Sequence, residues 1–378
     1  MRRSASGAMR SPSRFGKAAH HRPHEGKAMG AIKEPDWSIV GVLGSARGAR
    51  GATDAEAIGT EHLLAGVTTA KGAARQALAD EGATKVAVAQ VLRNRGDRDG
   101  AWSVADDPEG SVASQDLLGD DGDKGIRFTG AAARALTAAM GRAQREGAAK
   151  FGADHLLRAL LEEDNRAVEL LAACGVAPQA VRARLDGGTG SRDDGLAPLL
   201  HPTRDVLLGR GHYRQMPFWK RWVVRYGGMN WATMPFEWVR YETLEQARRL
   251  GHRVVGTEHV LLAVLATHEV VLRYPHMAGE STPAAGTRYA GGERLARLGV
   301  DHASVHSALT GDRVRLTADP RPFGQYIDES AGRSAVRQVD SCSGSAADPG
   351  TGPLVEVLLK EETRARRLTD ALTVTAGD

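Results

Sequence analysis

Cysteine is almost absent. The 378 residues hold two, Cys174 and Cys342, far apart and in no CxxC pair. That excludes a disulfide framework and suits a reducing, cytoplasmic compartment. Aromatics are scarce at 5%. No run of about 18 uncharged apolar residues occurs, so no membrane-spanning helix is expected. The N-terminal stretch has an Arg pair with no apolar core behind it, so no secretory signal is expected. An ATPase loop is missing too. Gly-Lys occurs at Gly16-Lys17 and Gly26-Lys27, each followed by Ala, so no ATP binding is expected. There is no G-x-S-x-G elbow and no H-E-x-x-H helix. His268-Glu269 lacks the second His one turn on.

One-sided charge is confined to the start. Net charge is +4, but residues 1–34 hold eight Lys/Arg and two acids, leaving 42 basic and 44 acidic residues elsewhere. The basic excess belongs to a tail, expected to be disordered, and no nucleic-acid partner is expected for the body. His20, His21 and His24 could hold a stray metal, but no metal site is expected on a tail of this kind. No metal and no cofactor are expected anywhere in the chain.

What the chain has is Ala, Gly and Arg, a helical composition, and an internal repeat. "IGTEHLLAGV" begins at Ile58, "FGADHLLRAL" at Phe151 and "VGTEHVLLAV" at Val255. Each is followed by a second short helix pattern, a Gly break, and a third. Leu156, Leu157, Leu160 and Leu161 fall on one face, as do Val260, Leu261, Val264 and Leu265. Gly175 and Gly299 stand where a left-handed helix end is needed. Lead-in helices precede the motif at "WSIVGVLGSARGARG", "RFTGAAARALTAAMGRAQREG" and "WVRYETLEQARRLGH". A fourth, eroded copy has "RSAVRQV" as lead-in and then "GTGPLVEVLLK", with Gly352-Pro353 in place of acid-His. Repeats of this kind bury their apolar faces on one another.

Two segments break the pattern. Residues 103–123 carry seven acids and no base, and read as a solvated loop. "DDGDKG", which runs from Asp120 past its end to Gly125, lacks the spacing of a calcium loop, with Ala131 at the twelfth position from Asp120. Residues 213–241 hold nine of the eighteen aromatics, among them Trp219, Trp222, Trp231 and Trp238. They read as a buried strap that docks the two modules or as a partner-binding surface, ahead of a membrane-interface belt, for which the long apolar face is lacking.

The repeat resembles the Clp N-terminal domain, the small all-helical module that caps Clp ATP-dependent unfoldases. "FTGAAARALTAAMGRAQREGAAKFGADHLLRALL" carries the likeness most fully, and "IGTEHLLAGV" and "VGTEHVLLAV" look like the family's signature. The resemblance implies an all-α fold of two tandem Clp N-terminal-type modules, each of two pseudo-repeats. Module one is expected at 35–186 and module two at 237–374, with the aromatic-rich linker at 187–236 between them. Without a nucleotide-binding loop, the chain is expected to stand alone, lacking the ATPase modules.

The acid of the motif has two readings. Thr60 and Thr257 sit where a helix N-cap would sit, and an acid in the first turn is stabilised by the helix dipole. The resemblance implies a second role. In some ClpC-type domains this acid and a hydroxyl at the start of the lead-in helix recognise phosphorylated arginine on client proteins. Carried over, Asp154 pairs with Thr129 and Glu61 with Ser38. Glu258 has no clear hydroxyl partner, and Gly352 has lost the acid. Each His is its acid's neighbour, about 100° round the helix, so no catalytic dyad is expected. The expected function is therefore non-enzymatic: client recognition, or regulation of a Clp unfoldase-protease as adaptor or decoy. The alternative is a scaffold that binds an unrelated partner through the aromatic linker. An unrecognised hydrolase is the remaining reading.

Overall fold

The computed structural model describes residues 34–96, 100–188, 194–216, 229–278, 288–311, 314–338 and 348–375. The tail expected over 1–34 lies outside them but for Glu34, as do Trp219, Trp222 and Cys342. The fold is all-α. Repeat one comprises α1 (Trp37–Thr53), α2 (Thr60–Val67), α3 (Ala73–Glu81) and α4 (Lys85–Arg95). A short α5 (Ser114–Leu118) follows. It lies between the strands Val112–Ala113 and Arg127–Phe128, which pair antiparallel. Repeat two comprises α6 (Gly130–Arg145), α7 (Ala153–Leu160), α8 (Arg166–Ala173) and α9 (Pro178–Leu185). Next comes α10 (His201–Leu207). Repeat three comprises α11 (Pro235–Arg249) and α12 (Thr257–Arg273), a single turn α13 (Pro275–Ala278), then α14 (Ala290–Arg297) and α15 (His302–Thr310). Repeat four comprises α16 (Phe323–Gln338), α17 (Gly352–Lys360) and α18 (Arg364–Thr375).

The second short helix ends as its sequence dictates. Gly175 and Gly299 take φ of 68° and 75°. In each case the next residue bonds back five positions, Val176 N–H to Leu171 O at 2.9 Å and Val300 N–H to Leu295 O at 3.0 Å. Val176 and Val300 are buried, which supplies the apolar contact of a Schellman end.

Within each repeat the lead-in packs on the motif helix, and across repeats the motif helix packs on the partner's second short helix. So α2 meets α8, α7 meets α3, α12 meets α18 and α17 meets α14. Gly66 permits the closest approach of α1 and α2. A Cβ there would stand 2.3 Å from the Val42 carbonyl oxygen.

Two hydrophobic cores result. The first gathers α1 to α9 and also takes in Leu207, Tyr213, Trp231 and Trp238. The second gathers repeats three and four. α12 is the seam: Val260 to Leu265 lie in the second core, while Ala266, Val270 and Val271 lie in the first. The boundary expected at 236/237 falls inside α11, and the described residues from Glu34 on fall in one compact unit. The acidic segment 103–123 departs from a solvated loop. It contains α5, and Asp106 within it is fully buried. The fourth lead-in is α16, beginning ten residues before "RSAVRQV", at Phe323. Among the described residues no helix is long and apolar enough to cross a membrane.

Candidate functional site: a helix start used three times

The helices of the repeated motif begin one residue earlier than the Thr suggested. The N-caps are Gly59, Gly152 and Gly256, with the His at the third helical position. Each His reaches back and accepts the N-cap N–H on Nδ1, at 3.0 Å for His62, 2.9 Å for His155 and 3.0 Å for His259. This is a capping box with imidazole in the place of Glu or Gln. Nδ1 is thereby an acceptor, and the ring proton sits on Nε2. That nitrogen faces Thr53 Oγ1 at 2.8 Å, Glu146 Oε2 at 3.1 Å and His252 Nδ1 at 2.8 Å respectively. Burial lowers His62 and His259 to about 4, so both are neutral at pH 7. The N-cap glycines leave room for carboxylate ends that would have to shift if a side chain stood there. Their φ values are ordinary, but a Cβ would meet carboxylate oxygens at 2.3 Å (Gly59), 2.6 Å (Gly152) and 2.2 Å (Gly256).

The Thr hydroxyls cap a different helix. Thr60 Oγ1 accepts from Ala167 N–H of α8 at 3.2 Å, and Thr257 Oγ1 from Ala365 N–H of α18 at 3.0 Å. Each Thr is held by a carboxylate. Asp106 accepts from Thr60 N–H (3.0 Å), Thr60 Oγ1 (2.6 Å) and Thr129 Oγ1 (2.6 Å). Asp319 accepts from Thr257 N–H (2.9 Å), Thr257 Oγ1 (2.7 Å) and Arg364 N–H (2.8 Å). At α7 the part is played by Ser38, whose Oγ accepts from Ala153 N–H at 3.0 Å and donates to Asp36 at 2.5 Å.

The three acids all turn to the partner repeat. Glu61 is buried, with Oε1 3.5 Å from Arg166 Nη1, and Arg166 opens α8. Burial, then the nearby Asp106, pushes its carboxyl up to about 7. Glu258 is buried, with Oε1 2.8 Å from Nη1 of Arg364, which opens α18, and burial raises its pKa as well. Asp154 is exposed and accepts from Ala74 N–H of α3 at 2.7 Å. Gly352 opens α17 and offers no side chain.

Spacing along the chain set Asp154 with Thr129 and Glu61 with Ser38. The fold groups them the other way. Thr129 shares Asp106 with Thr60, next to Glu61, while Ser38 bonds Ala153, next to Asp154. The reason is helix length. The 16 residues of α6 place Thr129 about 24 Å from the other end of that helix, where the chain turns toward α7. A lead-in start therefore meets the other repeat's motif.

Trp231 and Trp238 are interior residues. Trp238 Nε1–H donates to Tyr213 Oη at 2.6 Å, and Tyr213 donates on to buried Glu242 at 2.6 Å. His252, Glu258 and His259 lie within reach of one common ion. The capping bond on Nδ1 leaves the Nε2 proton of His259 directed at His252, a hydrogen bond rather than a pair of free ligand atoms. Cys174 is buried, and burial pushes its thiol up to about 12, so it offers no thiolate.

Sequence reasoning missed Asp106, Asp319, Arg166 and Arg364. A signal for the first two exists. Ala105-Asp106 stands two residues before Pro108, with Asp107 between, and Ala318-Asp319 stands directly before Pro320.

No curated protein matches the chain. Residues 127–199, which hold the four helices α6 to α9, match the family model of the Clp repeat (R) N-terminal domain.

Proposed function

We propose that the chain is a protein-binding module of a Clp ATP-dependent unfoldase-protease system, acting on client recognition as adaptor or decoy and not as an enzyme. The family match over residues 127–199 carries this reading. The reuse of the same helix start in repeats one and three supports it. Binding is favoured over catalysis because each motif His is occupied in capping its own helix, and His62 and His259 are held neutral. Asp154 is the acid best placed to meet a partner, since it is exposed where Glu61 and Glu258 are buried. The scaffold alternative loses Trp231 and Trp238 to the core and rests on Trp219 and Trp222.

Affinity capture of the tagged chain from its own cell lysate, read by mass spectrometry, tests the proposal. The expected result is enrichment of Clp unfoldase or protease subunits, or of arginine-phosphorylated clients, weakened by Asp154→Ala combined with Glu61→Gln. An unrelated partner that ignores both substitutions, and is lost on substituting Trp219 and Trp222, would move the function to the linker.

A further inference from the structure

The connection from α2 into α3, the start of α4 and the residues just after α10 enclose a cavity of about 800 Å³. Its lining carries four cationic side chains, Lys71, Arg75, Lys85 and Arg210, against one carboxylate, Asp80. Outside residues 1–34 the chain has more acids than bases, so this concentration of positive charge is local. Lys71 and Arg75 are exposed, and among the described residues neither forms an ion pair. Asp80 accepts from Gln76 Nε2–H at 2.6 Å. Arg210 donates through Nη2 to the carbonyls of Ala79 and Asp80 at the end of α3, and its Nη1 stands 3.7 Å from Asp205.

We infer that this cavity binds a small phosphate-bearing anion with two or more charged groups. Like charges gathered round one cavity repel one another, and a ligand with several negative charges relieves that repulsion at several points. Arg75 and Arg210 supply planar forks that match phosphate oxygens two at a time, and Lys71 and Lys85 supply point charges. Burial lowers the pKa of Arg210, and an anion at that wall favours its charged form. The volume is of the size that takes a small molecule. The fold itself does not demand these charges. Counted back from the helix-ending glycines Gly82 and Gly175, Lys71 corresponds in repeat two to Asp164 and Arg75 to Val168, with Glu162 and Glu163 just ahead of Asp164. None of the motif acids Glu61, Asp154 and Glu258 lines the cavity, so the site is separate from the client-binding reading.

The test is calorimetric titration of the purified full chain with inorganic tripolyphosphate, and with a sugar bisphosphate, at fixed ionic strength. Saturable binding of either supports the site, and the tighter one identifies the source as a free phosphate chain or as phosphate esters on an organic frame. Lys71→Ala with Arg75→Ala is expected to weaken binding about tenfold or more. Both side chains are exposed, so the variant keeps its fold. Arg294→Ala with Arg297→Ala removes the same charge from the exposed face of α14 and is expected to leave binding unchanged. Equal weakening by both pairs would reduce the effect to net charge and overturn the inference. Binding that neither pair weakens would place the anion elsewhere on the chain and overturn it too, as would no binding of either probe. The titration involves no Clp component, so it can fail while the capture experiment succeeds.

Discussion

At the residue scale, Glu61 carries the clearest pH signature. Its folded pKa of about 7 stands above the ordinary 4.5, because burial and Asp106 disfavour its charge. The folded protein thus keeps a proton that the unfolded chain has released. Stability from this group is lost as pH rises from about 4.5 to about 7. His62 works in the opposite sense. Burial lowers it to about 4, so its share is lost as pH falls from 6.5 toward 4. Glu61→Gln removes the first dependence and leaves the second. Urea unfolding at about pH 5 and about pH 7.5 is expected to show the variant gaining on wild type at the higher pH. A difference that does not move with pH contradicts the assignment. The neighbouring glycine contributes through space. Gly66→Ala drives a methyl into the Val42 carbonyl at 2.3 Å and is expected to cost about 1–3 kcal/mol in the same assay.

At the element scale, the account rests on one helix start serving two helices. The Gly-His box caps the helix it begins, and the Thr between them caps the partner repeat's helix under the hold of Asp106 or Asp319. Asp106→Ala strips three donors of their acceptor. It is expected to cost on the order of 3–5 kcal/mol, as for other broken buried charge networks, against less than about 0.5 kcal/mol for Asp120→Ala on the exposed part of the same segment. Thermal unfolding of the two variants checks this. Much of the element structure was legible in the residues. The Leu faces of α7 and α12 and the glycine ends at Gly175 and Gly299 follow local periodicity and local dihedral need. What was not legible is contact across repeats. Thr60 resembles an N-cap in sequence, but its hydroxyl serves the start of α8, more than a hundred residues away, as a second acceptor beside the N-cap Asn165. Asp106 sits in a run of acids, and its one mark in the sequence is the Ala-Asp before a nearby Pro that Asp319 also has.

At the scale of the molecule, the two expected modules share more than a linker. Trp238, placed by sequence at the head of the second, lies in the first core, and α12 contributes to both. The repeat pattern could show four copies but not that the third copy's motif helix is extended to 17 residues and reaches across. Such a seam couples the halves, so calorimetry is expected to show one unfolding transition, and Trp238→Ala to lower it by about 3–5 kcal/mol of stability. Two separable transitions would contradict a shared core.

The measurement that bears most directly on the central claim is binding of the purified chain to a purified ClpC-type unfoldase-protease by biolayer interferometry, with Asp154→Ala alongside. Asp154 is exposed, and its loss as a cap for α3 is expected to cost only about 0.5–2 kcal/mol of stability, which leaves a folded variant to test. The account predicts saturable binding by the wild type that Asp154→Ala weakens. No binding, or binding that Asp154→Ala leaves unchanged, would contradict it.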